Sequence, residues 1–595
     1  MQDELRESHF EAVVIGTGLT QSIVAAALAA ASKPIIHVDE SEAYGGPHAS
    51  LTLSELASFN PTFHPSLVSR QYSLSLTPHL IPATGPFIAA LVNSGVSRYG
   101  SFVLPKRVVI QTKDGFKNVP ANKQDVFKDK TISLVQKRRL IKFLMFATGE
   151  FEQSPELEGK ETTPLLEFVR DVFGIDKELA EALDQTLPAL VRTRTYLRSV
   201  GRYGPSPFLI GHYGGAGELA QGFCRTCAVQ GGTYVLGRKV LEVTRHDGPN
   251  LDADKGKEGE GKEEEAQDEA THRSWTSSSG KTFTSYHPPS TFETYGTEGV
   301  DVSSTEVQTE TGLQTQTEAS EPNAQNEQGG NKTEIQPPTP TGPYFRIRLE
   351  GFAAPFTANT IIGSDGWLAH ILNESNHPGM TPHEPKFGNT IRAILVIDAP
   401  ATFASASEQS VSSDQPAGED RLDESIIILP SEEGAVSMLV NGASTMSCPD
   451  GKCTCGVPLF YYQNDLTEGD GNIGVLYFTA QSAQDPKEYF AKYISAVLDA
   501  CSPRPEVWGE VYWREREVDK VVVRHADPSR ELPSRQGQPS SYSTTHLTEG
   551  PDAAAREAEQ VFWDALGDQP GEDGKGKDGV EFFARIEREE DLFDD

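Results

Sequence analysis

Residues 10–46, FEAVVIGTGLTQSIVAAALAAASKPIIHVDESEAYGG, constrain the fold more than any other stretch of this 595-residue chain. An apolar, β-branched run ends at a Gly-Thr-Gly turn, an alanine-rich segment favours a helix, and a second apolar run closes at Asp39. A strand, a tight turn, a helix and a second strand in this order predict a parallel βαβ unit of the dinucleotide-binding kind. We therefore expect an α/β protein.

The dinucleotide fingerprint in this unit is incomplete. Gly16 and Gly18 take the first two glycine positions of G-x-G-x-x-G, but Gln21 takes the third. The third glycine normally lets the helix approach the strand. The Gln21 side chain must therefore fill the crevice where a pyrophosphate would lie, or push the helix away. Asp39 still stands where an acid meets a ribose hydroxyl. We interpret Gly16, Gly18 and Asp39 as vestigial and expect no bound cofactor.

Charge and cysteine content exclude several classes of protein. A net charge of −34 argues against nucleic acid as a partner and against a polybasic membrane anchor. Six cysteines in so long a chain do not form a disulfide framework, and no cysteine or histidine cluster has the spacing of a metal site. The sequence contains no signal peptide and no apolar run long enough to span a membrane. We expect a soluble, cytoplasmic protein.

Changes in composition divide the chain into six segments. Residues 121–204 repeat apolar side chains at helical spacing and predict a smaller, inserted α-helical domain. Residues 247–343 contain few large apolar residues, so they cannot offset their ordering entropy and are predicted to be a long disordered acidic insertion. The large α/β domain is expected in three parts, followed by a polar, acidic tail: 1–120, 205–246 and 344–525, then 526–595.

Two features of the later segments are interpreted with alternatives. Strands predicted after residue 344, among them Ile391 to Ile397, are expected to form a sheet that continues the first domain. The aromatic residues of the tail, from Phe562 to Phe593, indicate either a docking motif or a frayed helix.

The sequence offers no set of catalytic residues. No nucleophile elbow, zinc-protease, Walker or kinase motif occurs. Cys224 and Cys227 are spaced as C-x-x-C in an apolar segment, which favours a buried structural role over a redox role. The basic run 137–139 is interpreted as a solvated helix face or as a pairing partner for nearby acids. A dinucleotide-binding scaffold with an altered fingerprint indicates a binding protein rather than an enzyme.

Four sequence blocks, in order, resemble the Rab GDP-dissociation inhibitor and Rab escort protein superfamily. The first block consists of Ile15–Thr20, 37–39 and Tyr44–Gly46, and the second of 70–80 and 96–99. The third consists of 119–120 and 137–144, and the fourth of 206–209, 213–225 and 231–234. This chain is more similar to the escort branch than to the dissociation inhibitors, in particular to the fungal members of that branch. The similarity lies in the long insertion, the acidic tail and the sequences SRQYSLSL and VSRY. The resemblance implies an FAD/NAD(P)-binding-like, multi-sheet fold that uses no flavin.

The resemblance to the escort branch implies a non-catalytic accessory component of Rab geranylgeranyltransferase. Such a protein binds newly made GDP-bound Rab GTPases and presents them to the catalytic α/β heterodimer. It then delivers the doubly geranylgeranylated product to a membrane, which implies transient membrane association. Two alternatives remain: a Rab GDP-dissociation inhibitor that recycles prenylated Rab, and an FAD-dependent oxidoreductase.

The resemblance also implies a Rab-binding platform. Tyr44, Glu218, Gln221 and Arg225 fall on it, and the last three share one face of a predicted helix. Hydrogen-bonding groups beside an aromatic anchor suit a protein-binding surface. A routine acid at a helix start would explain Glu218 equally well from the sequence alone.

Two further sets of residues are implied in the helical segment. The helix predicted from Leu165 corresponds to the part of the escort branch that meets the transferase, so Phe168 or Phe173 is a candidate for an inserted aromatic side chain. Leu140, Phe143 and Leu144 are candidates for a lipid-receiving groove. Core packing explains all five residues as well.

Overall fold

The computed structural model describes sixteen stretches of the chain: 9–113, 115–119, 126–127, 132–175, 186–211, 215–248, 271–276, 282–287, 342–372, 387–399, 401–403, 422–431, 434–442, 473–532, 547–571 and 573–584. The chain divides into two compact units. The first comprises residues 1–249 and 340–595, and the second comprises residues 250–339.

Helices and strands occur along the whole chain, often as several helices or several strands in succession. The helices in the described ranges are α1 (Leu19–Ala30), α2 (Pro86–Asn93), α3 (Leu134–Thr148), α4 (Leu165–Phe173), α5 (Thr186–Ser199), α6 (Ala216–Val229), α7 (Asp365–Ile371), α8 (Pro486–Ala500) and α9 (Gly550–Leu566). Short 3-10 helices include Gly46–His48 and Val96–Arg98.

The strands of the same ranges fall before and after the middle of the chain. Those before residue 250 are β1 (His9–Ile15), β2 (Ile35–Asp39), β3 (Ser50–Leu51), β4 (Thr62–Phe63), β5 (Leu74–Ser75), β6 (Leu80–Pro82), β7 (Phe102–Val103), β8 (Arg107–Thr112), β9 (Gly115–Asn118), β10 (Phe208–Gly211), β11 (Thr233–Leu236) and β12 (Val240–His246). Those after it are β13 (Thr271–Thr276), β14 (Thr282–His287), β15 (Tyr344–Leu349), β16 (Phe356–Ser364), β17 (Phe387–Ile397), β18 (Ser425–Ser431), β19 (Gly434–Asn441), β20 (Gly474–Gln481), β21 (Val507–Arg516) and β22 (Val521–His525).

The βαβ unit predicted at the start of the chain is confirmed. β1 and β2 pair in parallel, with Val14 opposite His37, and α1 connects them. Ten of the twelve α1 residues are buried, since alanine-rich composition lets α6 and α9 pack closely on both sides of the helix. The unit lies at the centre of a sheet with the order β11-β2-β1-β16-β15-β12, and β22 adds to β16.

A second large sheet lies in the same compact unit as the βαβ unit. It contains the predicted strand Ile391 to Ile397 and strands from several other parts of the chain. The strands lie in the order β4-β21-β17-β20-β19-β18-β8-β9. Because β8 and β9 come from residues 107–118, this sheet joins an early hairpin to later strands through the parallel pair β8–β18. Helix α8 covers one of its faces, where alternate residues such as Leu395 are buried.

The helical segment has its own core, as the periodicity predicts. Helices α3, α4 and α5 contact one another, and their buried residues form one apolar cluster centred on Phe143, Phe151, Phe168, Phe173 and Leu190. Parts of the predicted domain, including 120–125 and 176–185, lie outside the described residues.

The predicted insertion 247–343 lies mostly outside the described residues. In the second unit the structure describes β13 and β14, which pair antiparallel with Trp275 opposite Phe283. That the insertion as a whole is disordered stays a prediction. Cys448, Cys453 and Cys455 also fall outside the described ranges.

The chain after residue 525 is not simply a polar tail, contrary to the prediction. Helix α9 packs against α1, α2 and β22, and its Val561, Phe562 and Trp563 belong to the core of the first domain. A carboxylate oxygen of Asp552 accepts a hydrogen bond from the Phe87 backbone N–H at the start of α2 (3.1 Å), so α9 caps another helix. The acidic end, 585–595, lies outside the described residues.

Within the ranges that the structure describes, no helix combines the length and apolar character that crossing a bilayer requires.

Candidate functional site

Helix α6 presents the predicted platform residues on one outward face. Glu218, Gln221 and Arg225 are separated by three and four positions, which places them on the same side of the helix. Gln221 and Arg225 are exposed and Glu218 is partly exposed, while Phe223 and Cys227 face the core. The structure therefore brings these three predicted residues together. Partial burial raises the pKa of the Glu218 carboxyl group above its usual value.

The loop that carries Tyr44 lies against the start of α6. A Cβ atom on Gly45 would come within 3.1 Å of the Gly217 Cα atom, and Gly45 has φ +97°. A Cβ atom on Gly217 would lie 2.5 Å from the Ser50 backbone nitrogen. Only glycine permits this approach at both positions. The Tyr44 ring meets Tyr234 edge-on at 6.4 Å between centroids, and burial raises the pKa of Tyr44 to about 12.

Tyr99 contacts α6 through Arg225 and was not among the predicted platform residues. The Arg225 guanidinium carbon lies 4.6 Å from the centroid of the Tyr99 ring, a cation–π contact. Tyr99 is 50% exposed. Val96 brings the Tyr99 segment close, because a Cβ atom on Gly222 would lie only 2.8 Å from Val96. The VSRY block contains Tyr99, but no periodicity in the sequence linked it to α6.

We give the name α6 platform to Glu218, Gln221, Arg225 and Tyr99, together with Tyr44 of the loop that lies against the start of α6. A narrow cleft of about 50 Å³ opens beside it, between Tyr99 and Glu218.

A larger apolar cleft of about 600 Å³ adjoins the platform and was also missed. Its lining includes Leu91, Phe102, Leu104, Tyr203 and Leu209, which come from four separate parts of the chain. At its polar edge the Lys106 Nζ atom lies 2.6 Å from a carboxylate oxygen of Glu424. No sequence motif spans such a set, so only the folded chain shows it.

The former dinucleotide crevice does not fit a cofactor. A Cβ atom on Gly18 would lie 2.6 Å from Gln21 Oε1, and one on Gly16 would lie 3.5 Å from Gln21 Nε2. The Gln21 side chain therefore covers the glycine turn, the first of the two arrangements that the sequence allowed. The Asp39 carboxylate accepts hydrogen bonds from the backbone N–H and the hydroxyl of Thr17, both at 2.7 Å, and from the Ser41 N–H. It is thus committed to the protein rather than turned toward a ribose.

A buried polar network lies beneath the platform. His37 Nε2 donates to the Gly16 carbonyl oxygen at 2.6 Å, since a carbonyl only accepts, and Nδ1 therefore accepts from the Tyr234 hydroxyl at 2.8 Å. The Cys224 thiol lies 3.3 Å from the Ser22 hydroxyl. Burial raises the pKa of Cys224 to about 11, so both cysteines of the C-x-x-C pair are unreactive thiols, as predicted.

Acid should destabilise the protein through His37. Burial lowers the pKa of His37 from 6.5 to about 4. Between these pH values the imidazole binds a proton in the unfolded chain but not in the folded chain. The contribution of neutral His37 to the free energy of unfolding is fully present above pH 6.5 and is lost as the pH falls toward 4. The loss over this pH range is about 3 kcal/mol. Urea unfolding at several pH values should show a smaller pH dependence for His37→Gln than for the wild type. Equal pH dependence of the two proteins would contradict this assignment.

The two candidates for a transferase-facing aromatic residue lie in the helical core. Phe168 is 1% exposed and Phe173 is 5% exposed, and their rings pack edge-on against each other at 5.8 Å between centroids. Both side chains point into the helical core because α4 is amphipathic, which supports the core-packing alternative. Contact of either residue with a transferase stays a prediction.

The lipid-groove candidates also pack in that core. Phe143 is buried, and Leu140 and Leu144 are partly buried against it. Whether these residues receive a lipid stays a prediction. The described part of the chain contains no group of three or more side chains arranged to hold a metal ion.

Comparison with known proteins identifies relatives of the part of the chain that contains this site. Residues 5–262 match the family model described as GDP dissociation inhibitor. A "Rab proteins geranylgeranyltransferase component A" of Drosophila melanogaster is 33% identical over 41% of this chain and 55% of the relative. The protein of that name in Saccharomyces cerevisiae is 30% identical over 39% of this chain and 43% of its own length. A "Rab GDP-dissociation inhibitor" of the same yeast is 30% identical over 41% and 59%. The chain thus spans about half the length of the curated relatives it matches.

A solved structure shares the fold. The crystal structure of a Rab GDI from Plasmodium falciparum superimposes with a TM-score of 0.54 at 14% identity, over 94% of this chain and 99% of the other. The predicted fold class, a mixed α/β chain with several sheets of the GDI type, is confirmed. Over residues 5–262 the chain is therefore similar to the GDP dissociation inhibitor family.

Proposed function

We propose that this chain is a Rab escort protein. It binds newly made, GDP-bound Rab GTPases on the α6 platform and presents them to the geranylgeranyltransferase α/β heterodimer. It then delivers the doubly geranylgeranylated product to a membrane. The single observation that carries the proposal is the α6 face with Arg225 stacked on Tyr99, within a domain whose relatives are named for Rab proteins.

The chemistry of the platform suits a protein partner. Tyrosine and arginine are the residue types that contribute most at protein interfaces. The contact with Tyr99 restrains Arg225, so less side-chain entropy is lost when a partner binds. The adjoining apolar cleft has the volume and lining to receive apolar side chains from a flexible segment of the same partner.

The role we assign is accessory and non-catalytic. The platform contains no nucleophile with an adjacent base, and the crevice that would hold a flavin is covered by Gln21. We expect no cofactor and a cytoplasmic location with transient membrane contact. Leu140, Phe143 and Leu144 remain our candidates for receiving the geranylgeranyl groups, which would require α3 and α4 to separate.

A Rab GDP-dissociation inhibitor is the second candidate, since relatives of both names match this domain. Such a protein would extract prenylated Rab from membranes but would not support its prenylation. The long insertion favours the escort function. The oxidoreductase is disfavoured by Gln21 and by the commitment of Asp39, and stoichiometric flavin absorption bands in the purified protein would reinstate it.

Reconstituted prenylation tests the proposal. With Rab–GDP, geranylgeranyl diphosphate and the transferase heterodimer, the chain should be required for lipid transfer to Rab. Arg225→Ala should raise the Kd for Rab–GDP about 10- to 100-fold, because a partly ordered interface arginine contributes about 1–3 kcal/mol.

The matched control is Lys492→Ala, which removes an exposed positive charge from α8, an element that covers the second sheet. Its Kd should equal that of the wild type. Efficient Rab prenylation without the chain would refute the escort function. An unchanged Kd for Arg225→Ala would remove that residue from the binding surface.

A further inference from the structure

The outward face of α3 differs in charge from the rest of the protein. The helix contains Lys137, Arg138, Arg139 and Lys142 and no aspartate or glutamate, in a chain with a net charge of −34. Lys137 is buried, but the other three are exposed. None of these three forms a salt bridge with a carboxylate that the structure describes. Among the described residues, no ion pair therefore neutralises the positive charge on this face.

Apolar side chains stand among these charges. Leu134 is 73% exposed, Val135 57% and Met145 71%, and all three lie on α3. Phe127 is 54% exposed and lies beside the helix, because Lys137 Nζ donates a hydrogen bond to its carbonyl oxygen at 2.7 Å. Apolar residues elsewhere on α3 pack in the helical core. The exposure of Leu134, Val135 and Met145 on the same helix is therefore distinctive.

The exposed residues form one continuous surface. Successive helical residues are rotated by about 100°, so Leu134, Met145, Arg138, Lys142, Val135 and Arg139 fall, in that order, within about 140° of arc. Two contacts hold basic side chains in place: Arg139 Nη1 donates to the Gly174 carbonyl oxygen at 2.7 Å, and Lys142 Nζ lies 5.7 Å from the Phe173 ring centroid. We call this surface, together with Phe127, the α3 basic-apolar face.

We propose that the α3 basic-apolar face binds the surface of an anionic lipid bilayer. Helices that lie in a membrane interface combine lysine and arginine with large apolar side chains that enter the headgroup region. Each basic residue near an anionic membrane strengthens binding about fivefold. An anionic surface would attract this face and repel the acidic remainder of the chain. The inference rests on the proposed function, since delivery of a lipidated partner requires a membrane contact.

Vesicle binding tests the proposal. The full chain should co-sediment with phosphatidylcholine vesicles that contain about one third phosphatidylserine, and much less with pure phosphatidylcholine vesicles. Binding should fall as salt is raised, because exposed charges are screened. The double variant Arg138→Gln/Lys142→Gln should bind the anionic vesicles about 20-fold more weakly. Leu134→Ser/Met145→Ser should also bind them more weakly.

A matched control removes two exposed charges elsewhere. Lys492→Gln/Arg516→Gln changes the net charge equally, on α8 and β21, and should bind vesicles as the wild type does. Thermal unfolding should be the same for all variants. Equal binding of the wild type to both vesicle types, or undiminished binding by the α3 charge variant, would overturn the proposal.

Prenylation in vesicle-free solution separates this inference from the proposed function. The α3 charge variant should support it as well as the wild type. If that variant loses prenylation support while keeping vesicle binding, the face contacts a protein partner and the membrane proposal is wrong. If the wild type supports no prenylation, the escort function fails, and vesicle binding still decides the role of α3.

Discussion

Replacing Phe562 by alanine is expected to lower the free energy of unfolding by about 3–5 kcal/mol, because a fully buried aromatic side chain leaves a cavity when truncated. Phe562 is 0% exposed, and its ring packs against Trp563 at 4.9 Å and Phe582 at 5.5 Å between centroids. Phe583, next in sequence, meets Phe223 of α6 at 6.2 Å. Urea unfolding of the variant and the wild type measures the loss.

Two truncations complete this test. Ending the chain after residue 584 should leave stability unchanged, because the core residues contributed by α9 and by Phe583 are retained. Ending it after residue 546 should prevent folding, since α1 and α2 lose the helix that covers them. If the shorter chain is as stable as the longer one, α9 is not part of the folding unit.

Arg392→Met is expected to cost about 3–5 kcal/mol in the free energy of unfolding, because it leaves a buried carboxylate without its partner. Arg392 is 1% exposed, and its Nε and Nη2 atoms both lie 2.8 Å from Glu515 Oε2. Its Nη1 donates to the Thr479 hydroxyl at 2.9 Å. The three residues lie on β17, β20 and β21, so the pair joins adjacent strands of the second sheet.

The double variant Arg392→Met/Glu515→Leu is the control. Replacing both charges by apolar groups of similar volume should recover most of the lost stability, as replacement of buried ion pairs often does. Unfolding free energies of the two single variants and the double variant form a thermodynamic cycle. Strict additivity of the two single effects would show that the charges do not interact.

Local patterns predicted the elements that depend on neighbours in sequence. The βαβ unit was predictable because strand, glycine turn and alanine-rich helix are each encoded within a few residues. The shared face of Glu218, Gln221 and Arg225 was predictable for the same reason, since helical periodicity alone sets it. The helical character of the segment around α3 and α4 also followed from spacing.

Long-range packing decided the features that the sequence left open and those for which the sequence-based prediction was wrong. Helix α9 was interpreted as tail because its acids and small alanines dilute the apolar signal. Alanines at 554, 555 and 558 are nevertheless what lets it lie close to α1. For Phe168 and Phe173 the sequence left both partner contact and core packing open, because a motif cannot show which way an amphipathic helix faces. Their burial follows from contact with α3 and α5, which lie elsewhere in the sequence.

The sequence by itself determined the dinucleotide-type start of the fold, the loss of its third glycine, and the helix that carries the platform. These are local, and chain geometry fixes them within one or two turns. Only the tertiary structure decided that Gln21 lies across the glycine turn, that Arg225 stacks on Tyr99, and that an apolar cleft adjoins them. Each of these depends on how separate elements pack, because a side chain's surroundings come mostly from residues distant in sequence.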